Sequence, residues 1–371
     1  MKESSDRRQH IKSSNTAVGV LSSELAISLP CNATLSVPVR RIVTFHLNDL
    51  SSLLFTLPAL YALREGFPGA RITAVMRPSL AALMDDSPFV DEILLRPKGG
   101  ISKQTALMLQ LRQRHFDMAL AFSSSRTSVM LAWSSGAATR VGLGSAKMEA
   151  LLTHRVLDEG PATIETYLEM VRSVGCSARG SDYRGLLQVT PSHSSAALRL
   201  LKQHKIDGPF IVAAPQLGVR RRDSAIREWP ATHWARALDE LALRLPVVLL
   251  GATPTPSIMR QAKNHVVDLG GMADLPSLAA ICGHARLFVG VDSGMMHLAA
   301  AMGTSVVGIF GPTDWRTAGP RGVPYRIARQ PVECAPCLLS QCKWSGRDER
   351  KCLKLLEPQK VVESARELIG V

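Results

Sequence analysis

From Arg41 onward the chain alternates short, almost wholly apolar runs with longer stretches in which apolar residues recur at helical spacing. The short runs in the first half read RIVTF, RITAVM, VDEILL and DMALAF; between them lie LSSLLFTLPALYALREGF, SLAALMDD and QTALMLQLRQRH. Strands without polar alternation are buried on both faces, which predicts a parallel sheet covered by helices on each side. A helical segment, IETYLEMVRSVG, ends at Gly175, a residue type suited to a C-cap, and the Ser-rich LLQVTPSHSS leads into the helix AALRLLKQHKI. The rhythm restarts at PFIVAAP and runs through PVVLLG, VVDLGG, RLFVGVD and SVVGIFGP, with WARALDELALRL, PSIMRQAK and LPSLAAICGHA between. The pattern predicts an α/β protein of two Rossmann-like, doubly wound domains, 39–190 and 205–330, joined by a linker helix at 191–204. A cysteine cluster and a terminal helix after Pro358 fill 331–371, and residues 1–38 read as a disordered extension.

Two such domains facing each other place a cleft at the C-terminal edges of both sheets, where ligands bind in this class of fold. No GxGxxG follows the first strand and no GxxxxGK occurs anywhere, which argues against a dehydrogenase or a P-loop enzyme. The net charge of +13 points to an acidic partner. Aromatic residues make up only 5% and no basic run is interleaved with them, so nucleic acid is not an expected partner. No apolar stretch is long enough to span a bilayer, and Thr16 to Leu29 is broken by Ser22, Ser23 and Glu24, a poor signal peptide. These features predict a cytoplasmic protein. Seven cysteines, four of them crowded near the C-terminus, do not form an evenly stapled scaffold.

The stretch VDSGMMHLAAAMG, 291–303, reads as a strand end, a tight turn and a helix of small and apolar residues. Asp292, Ser293 and Gly294 at that helix start fit a well-made cap. They fit equally an anion site, in which the N–H groups of Gly294, Met295 and Met296 hold a diphosphate, Asp292 orients the loop or accepts from a donor hydroxyl, and His297 donates to a phosphate or fixes the aspartate. Cys334, Cys337, Cys342 and Cys352 form a C-x2-C-x4-C-x9-C array, a donor set for one structural zinc or iron or else four reduced thiols.

Residues 268–320, containing Asp292-Ser293-Gly294, His297 and then Phe310-Gly311-Pro312-Thr313-Asp314, resemble the donor-binding half of glycosyltransferase family 9, the ADP-heptose heptosyltransferases of lipopolysaccharide synthesis. Arg227 ahead of Trp229-Pro230, the run TRVGL and the start RRIVTFHLNDLSSLLFTLPAL are similar to the same family, so the likeness covers about 40–370. The resemblance implies a two-domain GT-B architecture and inverting transfer of a heptose, or a related sugar, from an ADP-sugar donor. The implied acceptor is a phosphorylated glycolipid of the lipopolysaccharide-core type, met at the anionic inner-membrane surface. It also implies donor contacts from Asp292, Ser293, Gly294, Met295, His297, Gly311, Pro312 and Thr313, with no catalytic cofactor. Arg227 is then the cation for the leaving diphosphate, the other reading being a surface arginine. Arg220, Arg221 and Arg222 read as a solvated loop that could also meet acceptor phosphates.

The family's first loop ends in Leu-Gly-Asp, and that aspartate is its expected general base; counting back from Thr56-Leu57-Pro58, the place is held here by Ser52, after Ser51. Asp49, three residues upstream, can stand in as the base or serve only as the N-cap of the following helix. The departure keeps open a sugar-nucleotide binder without catalysis. The cysteine array, similar to the iron-binding cluster of the autotransporter heptosyltransferases, keeps open transfer to protein hydroxyls.

Overall fold

A computed structural model of the chain describes residues 38–144, 148–157, 163–216 and 225–370. The expected N-terminal extension and the run Arg220 to Arg222 lie outside the described residues, apart from Pro38 itself.

Six parallel strands form the first sheet: β1 (Arg41–His46), β2 (Arg71–Met76), β3 (Glu92–Leu95), β4 (Met118–Ala121), β5 (Thr139–Leu143) and β6 (His154–Val156), in the order β3-β2-β1-β4-β5-β6. The second sheet holds β7 (Ile211–Ala214), β8 (Val247–Leu249), β9 (Val266–Asp268), β10 (Leu287–Val291), β11 (Val306–Phe310) and β12 (Tyr325–Arg329), ordered β12-β11-β10-β7-β8-β9. Counted from its own first strand, the second order is identical to the first, so the chain builds the same doubly wound sheet twice. The central strands β1, β4, β7 and β10 are buried along nearly their whole length, as expected of apolar runs covered on both faces. Strands β5, β6 and β12 escape the hydrophobic pattern because they are short or lie toward a sheet edge, where exposed positions such as Arg155 and Arg326 break the apolar run. The helical pattern SLAALMDD yields only the short helix Pro78–Ala81.

The helix Leu50–Gly66 is apolar around most of its circumference because it is enclosed: it packs on the helix Ile164–Arg172 and, across the molecule, on the helix Gly294–Ala301 of the second half. The helix Pro191–Gln203, in the expected linker, packs against Leu275–His284 of the second half. One hydrophobic cluster runs from Leu53 and Leu57 through Tyr183 to Met296 and Leu298, joining both halves without a break. The terminal helix Pro358–Ile369 packs on the second sheet through Val361, Val362 and Ala365.

Candidate donor and acceptor site

In both sheets the strand order reverses between the first and fourth strands, and the loops leaving those strands meet in one place. Asp49 follows β1, Arg227 lies in the segment after β7, Asp292 follows β10 and Thr313 follows β11. The duplicated topology thus brings together residues that are up to 264 positions apart in sequence (49 to 313).

Asp292 is 6% exposed and its Oδ2 accepts from Arg227 Nη1 at 3.3 Å. Burial pushes its carboxyl above the usual range, the Arg227 guanidinium and a hydrogen bond from the Thr313 side chain oppose that rise, and the charge of Asp49 adds to it. Arg227, in the short turn Ala225–Arg227, therefore reaches into the site rather than lying on a surface loop. Ser293 occupies the N-cap position of Gly294–Ala301, yet its side chain makes no capping bond, and its buried Oγ has no hydrogen-bond partner. The Thr313 side chain hydrogen-bonds the Asp292 carboxyl. A helix start built only as a cap would use its serine; here the hydroxyl makes no such bond. Met295 and Met296 point into the core, so what they offer a ligand is backbone N–H.

Gly294 permits a close approach. A Cβ built there would lie 2.9–3.0 Å from the side chain of Leu50, the first residue of the opposite helix. Two helix N-termini thus abut, and both dipoles present their positive ends to the cleft. Asp49 is the N-cap of the Leu50–Gly66 helix: its Oδ1 accepts from Ser52 N–H at 3.1 Å and from the Ser52 hydroxyl at 2.9 Å. Ser52, at the family's base position, is thus a donor to Asp49. Beneath this loop His46 is held by Thr44 and Thr56 (3.0 and 3.1 Å), and burial lowers its pKa to about 3, so it stays neutral.

His297 is 1% exposed, one turn into its helix, and burial lowers its pKa to about 3 against the opposing pull of the Asp49 charge. Its Nδ1 is 2.8 Å from the hydroxyl of Tyr183. No sequence signal marks Tyr183: it is a lone aromatic in a polar stretch, brought to His297 only by the path of the segment between the halves.

Gly311 and Pro312 form the back of the site. A Cβ on Gly311 would meet the side chains of Leu353 and Cys352, and the Pro312 carbonyl accepts from the N–H groups of Cys337 and Leu338 at 3.0 and 2.8 Å. Cys334, Cys337, Cys342 and Cys352 are thiols that line one cavity of about 20 Å³ together with Ile226 and Pro312. The Arg350 N–H donates to Cys342 Sγ at 3.3 Å, and burial, reinforced by the other three thiols, pushes Cys352 up to about 11. The donor chemistry suits a soft metal ion. The expected closed tetrahedral set is nonetheless not formed as the side chains stand: no group of three His, Cys, Asp or Glu among the described residues is arranged to hold an ion. One buried and three half-buried thiols have no attraction for one another without a cation, so convergence on a cavity does not by itself bring the sulfurs to ligation distance.

Two facing doubly wound sheets give the chain the GT-B architecture. A profile of glycosyltransferase family 9 (heptosyltransferase) matches residues 104–346, and the chain belongs to that family. It is 24% identical over 326 residues to lipooligosaccharide heptosyltransferase 2 of Campylobacter jejuni, covering 84% of this chain and 93% of that protein. Its fold is that of the glycosyltransferase family 9 protein of Veillonella parvula (TM-score 0.78, 21% identity, 91% of this chain and 99% of that one). It is also that of the Escherichia coli ADP-heptose lipopolysaccharide heptosyltransferase II (TM-score 0.70, 20% identity, 89% and 98%). No helix among the described residues is long and apolar enough to cross a membrane.

Proposed function

We propose that the protein transfers a heptose from an ADP-sugar, with inversion, to a phosphorylated glycolipid of the lipopolysaccharide-core type. The reading is carried by one observation: a buried hydroxyl without a partner, Ser293 Oγ, stands at a helix N-terminus beside the Arg227–Asp292 pair. A diphosphate satisfies these groups together. The N–H groups of Gly294, Met295 and Met296 and the dipole hold it, and Arg227 takes the negative charge that grows on the leaving group as the glycosidic bond breaks. His297 donates a further hydrogen bond. A permanent cation and a helix dipole leave no need for a catalytic metal. The names of the relatives support heptose and ADP-heptose as the sugar and donor.

Asp49 is the carboxylate that removes the acceptor proton. It stands close enough for its charge to act on both Asp292 and His297, on the opposite wall of the cleft. Ser52 cannot act as a base at neutral pH and serves instead to hold the Asp49 carboxylate. The acceptor is met at the cytoplasmic face of the inner membrane, where a basic protein is drawn to anionic lipid. Cys334, Cys337, Cys342 and Cys352 would hold one zinc or iron ion, which would brace the segment behind the donor loop rather than take part in catalysis.

Incubation with ADP-heptose, following ADP release with and without lipopolysaccharide-core acceptors, tests this reading. ADP release that rises with the glycolipid is the expected result; release raised only by a protein acceptor, or none with any acceptor, overturns it. Asp49→Asn, which keeps the cap, is expected to abolish transfer and leave donor binding intact. Ser52→Asp in that background restores it. A fully active Asp49→Asn variant removes Asp49 as the base.

A further inference from the structure

Burial keeps the His297 ring neutral, so one of its two nitrogens carries the proton. Tyr183, fully buried in the segment between the halves, places its hydroxyl 2.8 Å from His297 Nδ1. The Arg321 backbone N–H donates to the same oxygen at 3.2 Å. Phe55, from the Leu50–Gly66 helix, stacks on the Tyr183 ring with centroids 6.2 Å apart and meets the His297 ring edge-on at 4.7 Å. Two residues on from Tyr183, the Gly185 N–H donates to Ala301 O at 2.9 Å, so the inter-domain segment is bonded twice to the helix that carries His297.

A phenol has one hydrogen to give. Arg321 offers that oxygen a donor, so the hydroxyl hydrogen must find an acceptor elsewhere, and the acceptor recorded for it among the described residues is His297 Nδ1. Were Nδ1 protonated, two N–H groups would face one oxygen and the hydroxyl hydrogen would be stranded in the interior. We infer that Tyr183 is a positioning residue that holds His297 in its Nε2–H tautomer, giving the diphosphate of a sugar nucleotide one fixed donor. The consequence for binding rests on the donor-site reading above. Burial keeps the ring neutral, with Asp49 favouring and Arg321 disfavouring its charge, so the choice at neutral pH lies between tautomers. The polar setting of a residue in the second half is thereby fixed by the segment that joins the halves.

Tyr183→Phe tests this, because it keeps the ring against Phe55 and removes only the hydroxyl. The full chain, labelled with nitrogen-15 histidine, reports the tautomer directly; the His297 signals are those lost in His297→Gln. The wild type is expected to carry the proton on Nε2, and Tyr183→Phe to shift toward a mixture of tautomers with Kd for ADP raised about tenfold, the scale of one hydrogen bond misplaced at a charged ligand. His297→Gln, whose amide N–H falls near the Nε2 position, is expected to retain more ADP affinity than His297→Asn, whose amide falls near Nδ1. A wild-type proton on Nδ1, or a histidine spectrum unmoved by Tyr183→Phe, overturns the inference. If the spectrum behaves as expected while His297→Ala binds ADP as the wild type does, the donor-site reading falls and Tyr183's hold on the tautomer stands.

Discussion

Asp292 sits between opposing influences: burial and Asp49 favour its neutral form, and Arg227 and the Thr313 hydrogen bond favour its charge. A carboxyl raised in the fold costs stability above its unfolded pKa of about 3.9 and costs nothing well below it. Removing Arg227 raises Asp292 further. Arg227→Met is therefore expected to lower the melting temperature at pH 8 more than at pH 4, whereas Asp49→Asn, which removes a like charge, narrows the same pH-dependent loss. Equal losses at both pH values would mean that Arg227 does not stabilise the ionised carboxylate. For turnover, Arg227→Ala is expected to cost about 10²-fold, the scale of one lost transition-state stabiliser. Rescue by Arg227→Lys would show that charge suffices; failure of rescue would show that the planar fork is needed.

At the scale of elements, the site depends on two helix starts held nose to nose and on a C-terminal segment braced behind them. Gly294→Ala sets a methyl 2.9–3.0 Å from the Leu50 side chain. The expected cost is about 1–3 kcal/mol of stability by denaturant unfolding, partly relieved by Leu50→Ala. An unchanged midpoint would mean that the two helices separate without cost. The segment 334–356 is tied to both donor loops: Cys337 and Leu338 to Pro312, Arg350 Nη1 to Glu228 O at 3.2 Å, and Trp229 Nε1 to Leu356 O at 3.1 Å. If the cysteines close around an ion, elemental analysis of the purified protein should find about one zinc or iron per chain. Cys337→Ser should then lower the melting temperature together with the metal content. Metal-free protein of undiminished melting temperature would leave four ordinary thiols.

For the whole molecule, the relevant quantities are a continuous core and a net charge of +13. Because one hydrophobic cluster joins both halves, unfolding is expected to be a single transition by calorimetry and by fluorescence alike. The charge acts at longer range. With an anionic glycolipid acceptor, kcat/KM should fall as salt rises from low to physiological ionic strength, where the screening length shrinks to about 8 Å. With an uncharged acceptor analogue the same titration should be nearly flat; equal slopes would remove electrostatic steering from the account.

The sequence by itself determined the class of fold. Apolar runs such as RIVTF, PFIVAAP and RLFVGVD can be satisfied only between two helical layers, and their alternation with helical patterns prescribes parallel sheets. It also fixed the local chemistry of the helix start at Asp292–His297, because a turn, a cap position and free N–H groups are properties of neighbouring residues. The short strands β5, β6 and β12 were not legible, since three to five residues with exposed positions leave no clear period. Tertiary structure alone decided which residues share the site. Arg227 and Asp292 meet because β7 and β10 are adjacent, and Asp49 faces them because a repeated sheet order sets one switch point against the other. It also set contacts that the sequence leaves open: Ser293 makes no cap bond, the Asp49 carboxylate accepts from Ser52, and Arg227 pairs with Asp292. Tyr183 gives the physical reason most plainly. A hydrogen bond acts over about 3 Å and carries no trace in sequence when its partners lie 114 residues apart.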